Sequence, residues 1–230
     1  MAHLDEADRT AYLAALSPGT DTDHRGTPFA PELLNQLLTA LCDPTTGQPR
    51  MGAARFDEAS FSGDANFREV TFSGDARFDW ASFSGDARFV GASFSRDAVF
   101  DGVWFETVPH LGPLVCRQRE VLDGAVFQQP VTLEIAADQV SCARTRWAST
   151  AMLRLRYAEL DLRDAVFEYP VVVAAQSTPF RSRNAADSLV SETELSGEEP
   201  GVRLVSVGGA DVLHLGRFFQ IIGSLVWVCR

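Results

Sequence analysis

The chain has 230 residues, 46% of them hydrophobic and 22% charged, the proportions of a soluble globular protein of one large domain or two small ones. All 20 basic residues are Arg, and the net charge of −11 speaks against general nucleic-acid binding, which needs clustered positive charge. An acidic chain of this kind fits a basic partner surface instead, and the 16 Phe against 3 Tyr point to a periodic structural position rather than scattered core packing.

The N-terminus, Met-Ala-His-Leu-Asp-Glu, is acidic and lacks an apolar h-region, so no signal peptide is expected. Asp8 to Leu16 reads as a short helix ended by Ser17-Pro18-Gly19. Pro31 to Cys42 reads as a second helix with Pro in its first turn. Its apolar stripe, Leu33, Leu34, Leu37, Leu38 and Leu41, must be buried. Residues 1–50 are expected to form a helical cap over the open end of the repetitive region downstream.

From Ala53 to Thr107 the chain repeats. Phe recurs at 56, 61, 67, 72, 78, 83, 89, 94, 100 and 105, in gaps that alternate between five and six. Neither a helical period nor strand alternation produces this spacing. Two residues before most of these Phe stands Ala or Val, so the unit is A-x-F-x-x. Every second unit carries one added residue, and it falls at Asp64, Asp75, Asp86 and Asp97. Positions i−2 and i share a face in an extended segment, so Ala and Phe point inward while the residue between them points outward. Four such sides close a coil of about 22 residues, and stacked coils pair as parallel strands roughly 4.8 Å apart. Bulged and regular sides are expected to take turns around each coil.

These ten units resemble the pentapeptide-repeat family in its Phe-centred form, with Ser-Gly-Asp-Ala corners at 62–65, 73–76 and 84–87. The resemblance implies an all-β fold, a right-handed quadrilateral parallel β-helix. Downstream, Leu122 to Val131 matches Leu162 to Val171 at an offset of forty positions, close to two coils. The solenoid is therefore expected to fill residues 51–175, regular over 53–107 and degenerate over 108–175. Residues 176–230 are read as an acidic loop, Ser182 to Gly201, followed by an end segment. Val202 to Val207 and Ala210 to Leu215 are candidate further sides. Phe218 to Arg230 does not resemble a continuing repeat and is read as an alternative end, of the kind a truncation or frame change leaves, either capping the coil or burying itself in a homodimer. No apolar run reaches the roughly 18 to 20 residues of a membrane span.

Little in the sequence points to chemistry. His3, His24, His110 and His214 stand apart from one another, and no phosphate loop, nucleophile elbow or zinc-protease motif occurs. Cys42, Cys116, Cys142 and Cys229 form no C-x-x-C pair and read as reduced thiols of a cytoplasmic protein. Ser62, Ser73, Ser84 and Ser95 read as corner hydroxyls bonded to backbone. The Asp column could collect cations, but neutralisation by Arg55, Arg77, Arg88 and Arg96 is the preferred reading. Arg144, Arg146, Trp147, Arg154 and Arg156 form the candidate interaction surface, with Glu134, Asp138 or Glu159 as alternative partners for these Arg. No catalytic residue, metal site or cofactor is assigned. The expected role is a non-enzymatic protein-interaction scaffold. Some proteins of the resembled family imitate duplex DNA and bind DNA gyrase, which makes gyrase the alternative partner. An enzyme of unknown class in the downstream half is the remaining reading.

Overall fold

The computed structural model describes residues 1–181, 192, 195, 202–206, 219–222 and 225–227. The repeat dictates its form. Ala54 and Phe56, Ala59 and Phe61, Ala65 and Phe67, and Val70 and Phe72 are each no more than 2% exposed, and they line the inside of four successive sides. The next coil repeats the pattern in parallel register, each residue lying over the one twenty-two positions before it: Ala54 pairs with Ala76, Ser60 with Ser82, Ala65 with Ala87 and Thr71 with Ser93. Stacked rings follow at the strand spacing, 4.5 Å for Phe61 and Phe83, 4.7 Å for Phe72 and Phe94, and 4.9 Å for Phe67 and Phe89, with planes within 6° of parallel. Each buried ring contributes roughly 1.5–3 kcal/mol, and the interior is one continuous apolar cluster.

The corners differ as the alternation of five and six requires. A tight corner turns on one left-handed residue, and these form a column through the stack: Glu58, Trp80, Gly102, Gly124, Arg144 and Asp164, all with φ between 55° and 65°. A wide corner is spanned by Ser-Gly-Asp. There Ser84 Oγ donates to the Phe61 carbonyl (3.0 Å) and Ser73 Oγ to that of Met51 (2.9 Å), bonding one coil to the coil below. At Gly85 an ideal Cβ would come within 2.3 Å of the Gly63 carbonyl carbon, so only hydrogen fits.

Two helices precede the repeat. The first, α1, spans Glu6–Ala14, two residues earlier than the sequence suggests, because the Asp5 side chain caps it by accepting from Asp8 N (2.8 Å). The second, α2, spans Pro31–Ala40 and buries Leu33, Leu34, Leu37 and Leu38. The residues between them are not part of a purely helical cap. Thr22 pairs in parallel with Ala54, and Phe29 pairs with Phe61. Met51 pairs with Phe72. Residues 22–51 are therefore a first coil in which α2, packed against the strand Ala65–Asn66, takes the place of the third side. Thr22 lies 32 positions before its partner instead of 22, and the ten additional residues match the ten of α2.

Beyond Thr107 the coil tightens. Between the strands His110–Val121 and Val131–Ser141 the register offset falls from 22 at Leu111↔Leu133 to 21 at Leu114↔Ile135, then to 20 at Arg119↔Gln139. It stays at 20 from Val131↔Ala151 to Val171 on the next turn. One residue is lost at each of two corners, so the bulged and regular alternation holds only in the wider coils below. The forty-position offset in the sequence is two of the shortened coils, with Leu122, Cys142 and Leu162 in one inward column.

The stretch Ser182 to Gly201, expected to be an exposed acidic loop, lies mostly outside the described residues, but Glu192 and Leu195 are buried. Phe180 and Leu195 pack over Val115 and Ala136 on the outer surface of the fourth side. Leu114-Val115-Cys116 and Ile135-Ala136-Ala137 are apolar on both faces for this reason. Val202–Ser206 pairs with Glu159–Asp161, and Leu225–Trp227 pairs with Val202–Ser206. Phe219–Ile222 pairs with Val171–Ala175. The end segment therefore adds parallel strands to the same sheet, where its sequence suggested a break in the repeat: backbone pairing does not require the repeated side chains. Ala210 to Leu215, with His214, and Cys229 lie outside the described residues. No described helix is long and apolar enough to cross a membrane.

Candidate functional site

The wide corners pair their Asp with Arg. Arg88 reaches Asp64 (2.8 Å) and Asp86 (2.7 Å), Arg96 reaches Asp75 (2.7 Å), and Arg119 reaches Asp97 (2.5 Å). Burial raises the Asp97 carboxyl, but the Arg119 side chain and backbone donors outweigh it and hold it below the usual range. Neutralisation by Arg thus describes these corners, with a change of partners: Arg55 and Arg77 do not serve them, and Arg119 does. Among the described residues no three His, Cys, Asp or Glu side chains are grouped to hold a metal.

Arg55 and Arg77 belong to a second acidic ladder that the repeat notation hides. The residue after Phe56, Phe78, Phe100 and Leu122 is Asp in every case: Asp57, Asp79, Asp101 and Asp123. They stack one coil apart on the outer surface of the first side. Arg77 pairs with Asp57 (3.3 Å) and Asp79 (3.1 Å), and Arg55 lies 3.9 Å from Asp57. In the next two coils the Arg position is held by Val99 and Val121. Asp101 is raised above the ordinary carboxylate range, first by partial burial and then by Asp79 and Asp123 on either side. Its signal in the sequence was the recurrent Phe-Asp pair.

The Arg and Trp group is divided by the fold. Trp147 is fully buried, its ring parallel to Phe127 at 4.5 Å and to Phe167 at 6.1 Å. It occupies the Phe column of the second side and is not a surface residue: Thr145 and Trp147 are the inward pair of that side. Arg156 is 3% exposed and ion-paired with Glu192, and Phe180 and Leu195 pack over the same side of the coil. Three members remain at the surface, each with a carboxylate. Arg144 lies 3.7 Å from Asp123, Arg146 lies 2.6 Å from Glu168, and Arg154 pairs with Glu134. A shallow groove of about 320 Å³ lies nearby, lined by residues including Arg119, Asp123, Ser141, Asp161 and Arg163, with no histidine among its lining side chains.

Tyr169, next to Glu168, is 54% exposed. Two exposed Trp lie elsewhere: Trp80 is 67% exposed at a tight corner, and Trp104 is 46% exposed on the outer face of the second side. An ideal Cβ at Gly102 would come 2.7 Å from the Trp80 ring, so the indole rests on the bare backbone of the next coil. Both occupy variable positions of the repeat, so the motif itself gave no sign of them.

Of the histidines, His24 is buried in the Phe column of the first coil, stacked on Phe56 at 5.6 Å. His110 is exposed on its strand. Cys42, Cys116 and Cys142 are free thiols, and burial holds Cys116 and Cys142 well above the usual thiol range, in the unreactive protonated form. Glu120 points into the interior where Ala76 and Ala98 stand in the coils below, and neither of its carboxyl oxygens has a hydrogen-bond partner among the described residues.

Residues 56–104 match the family model described as pentapeptide repeats, in nine copies. No curated protein and no solved structure is significantly similar to the chain.

Proposed function

Residues 56–104 being pentapeptide repeats, we propose that the chain works without catalysis, as a rigid protein-interaction scaffold. The register of its outward columns carries the reading. Ser60, Ser82, Trp104, Val126, Arg146 and Val166 follow one another on successive coils of the second side. A partner therefore meets side chains held at the strand spacing on a backbone that does not rearrange. Function then resides in the outward positions rather than in the fold. A cytoplasmic setting accords with the free thiols, and a second copy of the chain is one partner to look for.

Affinity capture from the native host with the full chain tests this. A partner released by outward substitutions that leave the circular dichroism spectrum intact supports it. Purified chain that captures nothing yet turns over a substrate would refute it.

A second reading, imitation of duplex DNA at DNA gyrase, is favoured by the Asp57, Asp79, Asp101 and Asp123 ladder and the net charge of −11. It is opposed by the Arg partners of most of the acidic side chains of the regular coils. A supercoiling assay decides it: neither inhibition of gyrase nor protection from quinolones would remove this reading.

A further inference from the structure

We propose that the corner carrying Trp80 and Trp104 is the docking site of the scaffold, and that its occupant is an arginine-rich segment of a partner protein. The inference rests on the scaffold reading and names its partner class. The two indoles are the most exposed Trp side chains among the described residues, at 67% and 46%. Exposed Trp is rare on a surface without a binding role and is favoured at binding hot spots. Trp80 is also held in place. It turns the corner at φ 58°, its ring rests on Gly102, and the residue stays 67% exposed. Trp104 leaves the same turn two residues after Gly102, between Ser82 below and Val126 above.

Charge complementarity selects the occupant. In the lower coils the Asp beside this corner have their own guanidinium: Asp57 and Asp79 share Arg77. At Asp101 the equivalent position is Val99, and among the described residues no cation lies within 4.0 Å of its carboxylate. Exposed Glu58 holds the position below Trp80 in the same corner column. Trp80 N donates to the Asp101 carbonyl (2.8 Å), so the exposed indole and this carboxylate are neighbours, and together they suit a planar guanidinium that stacks on the ring while its N–H groups donate to the acid. Arg77 and Arg144 attract Asp101 from a distance, but their ion pairs are with Asp57 and Asp79 and with Asp123.

The probe is a synthetic oligo-arginine peptide titrated into the full chain at low and physiological salt, followed by Trp fluorescence and calorimetry. Trp80→Gly suits the left-handed backbone, and Asp101→Asn removes the unpaired charge. Asp64→Asn makes the same charge change at a wide corner. We expect Trp80→Gly and Asp101→Asn each to weaken binding about five- to tenfold, and Asp64→Asn to change it by less than about twofold. Absence of binding, a Trp80→Gly variant that binds like the parent, or an Asp64→Asn loss equal to that of Asp101→Asn would each overturn the proposal. A host partner still captured by Trp80→Gly and Asp101→Asn refutes this site and leaves the scaffold role standing. Peptide binding that depends on Trp80, with no host partner captured at all, sustains the site and refutes the scaffold role.

Discussion

Arg156 and Glu192 form an ion pair withdrawn from water, with 3% and 2% of their side chains exposed. Arg156 also donates to the Gln176 carbonyl (2.9 Å) and to Tyr157 Oη (2.8 Å), and its guanidinium carbon lies 4.9 Å from the Tyr157 ring centroid. The pair holds Glu192 beside Phe180 and Leu195, which pack on the fourth side. Removing one partner strands a buried charge, at a cost of roughly 3–5 kcal/mol. Glu192→Ala should therefore lower the denaturation midpoint sharply, while the double variant R156M/E192L recovers most of the loss. Equilibrium denaturation of the two variants checks this.

Trp147 is the one indole in a column of phenyl rings, and its Nε1 has no hydrogen-bond partner among the described residues. Replacing it with Phe restores the column residue and frees no polar group. Trp147→Phe should cost less than about 1.5 kcal/mol, whereas Trp147→Ala should cost about 3–5 kcal/mol by opening a cavity between Phe127 and Phe167. Chemical denaturation measures both.

His24 stands where later coils place Phe. Burial, aided by the charge of the chain's amino terminus, lowers its pKa from 6.5 to about 4, against the pull of Asp23. Its folded form is neutral, so its contribution is complete above pH 6.5 and declines as pH falls through 6.5 towards 4, by ~3 kcal/mol at most. His24→Phe should flatten stability over that window. Thermal melts between pH 4 and 7 show whether it does.

Glu120 works in the opposite direction. Full burial, with no hydrogen-bond partner among the described residues, pushes its carboxyl well above the ordinary range, so the folded chain keeps a proton that the unfolded chain releases above about pH 4.3. Stability is complete below that pH and declines as pH rises towards the folded pKa. Glu120→Gln should be more stable than the parent at pH 7 and equal to it near pH 4. A parent that matches Glu120→Gln across the range would show that Glu120 finds a partner in solution.

How far the sequence reaches is clearest along one column. Phe29, Phe61, Phe83, Phe105, Phe127, Trp147 and Phe167 stack as one series. Phe61, Phe83 and Phe105 were legible from spacing alone, because a five-residue side can bury its i−2 and i positions only by pointing both inward. Phe29 was hidden by α2, which interrupts its coil, and Trp147 by the shortening of the coil beyond Thr107, which moved it from an expected outer face to the core. Arg156 looked like a surface charge because strand alternation faces it outward. Only Glu192, distant in sequence, decides that it is buried. The same holds for the surface as a whole. Period and inward column follow from local steric rules that act on neighbouring residues. Which outward Arg meets which carboxylate, and which Trp is left open, depends on residues a full coil apart in sequence brought side by side by the winding, and on segments that fold back over it.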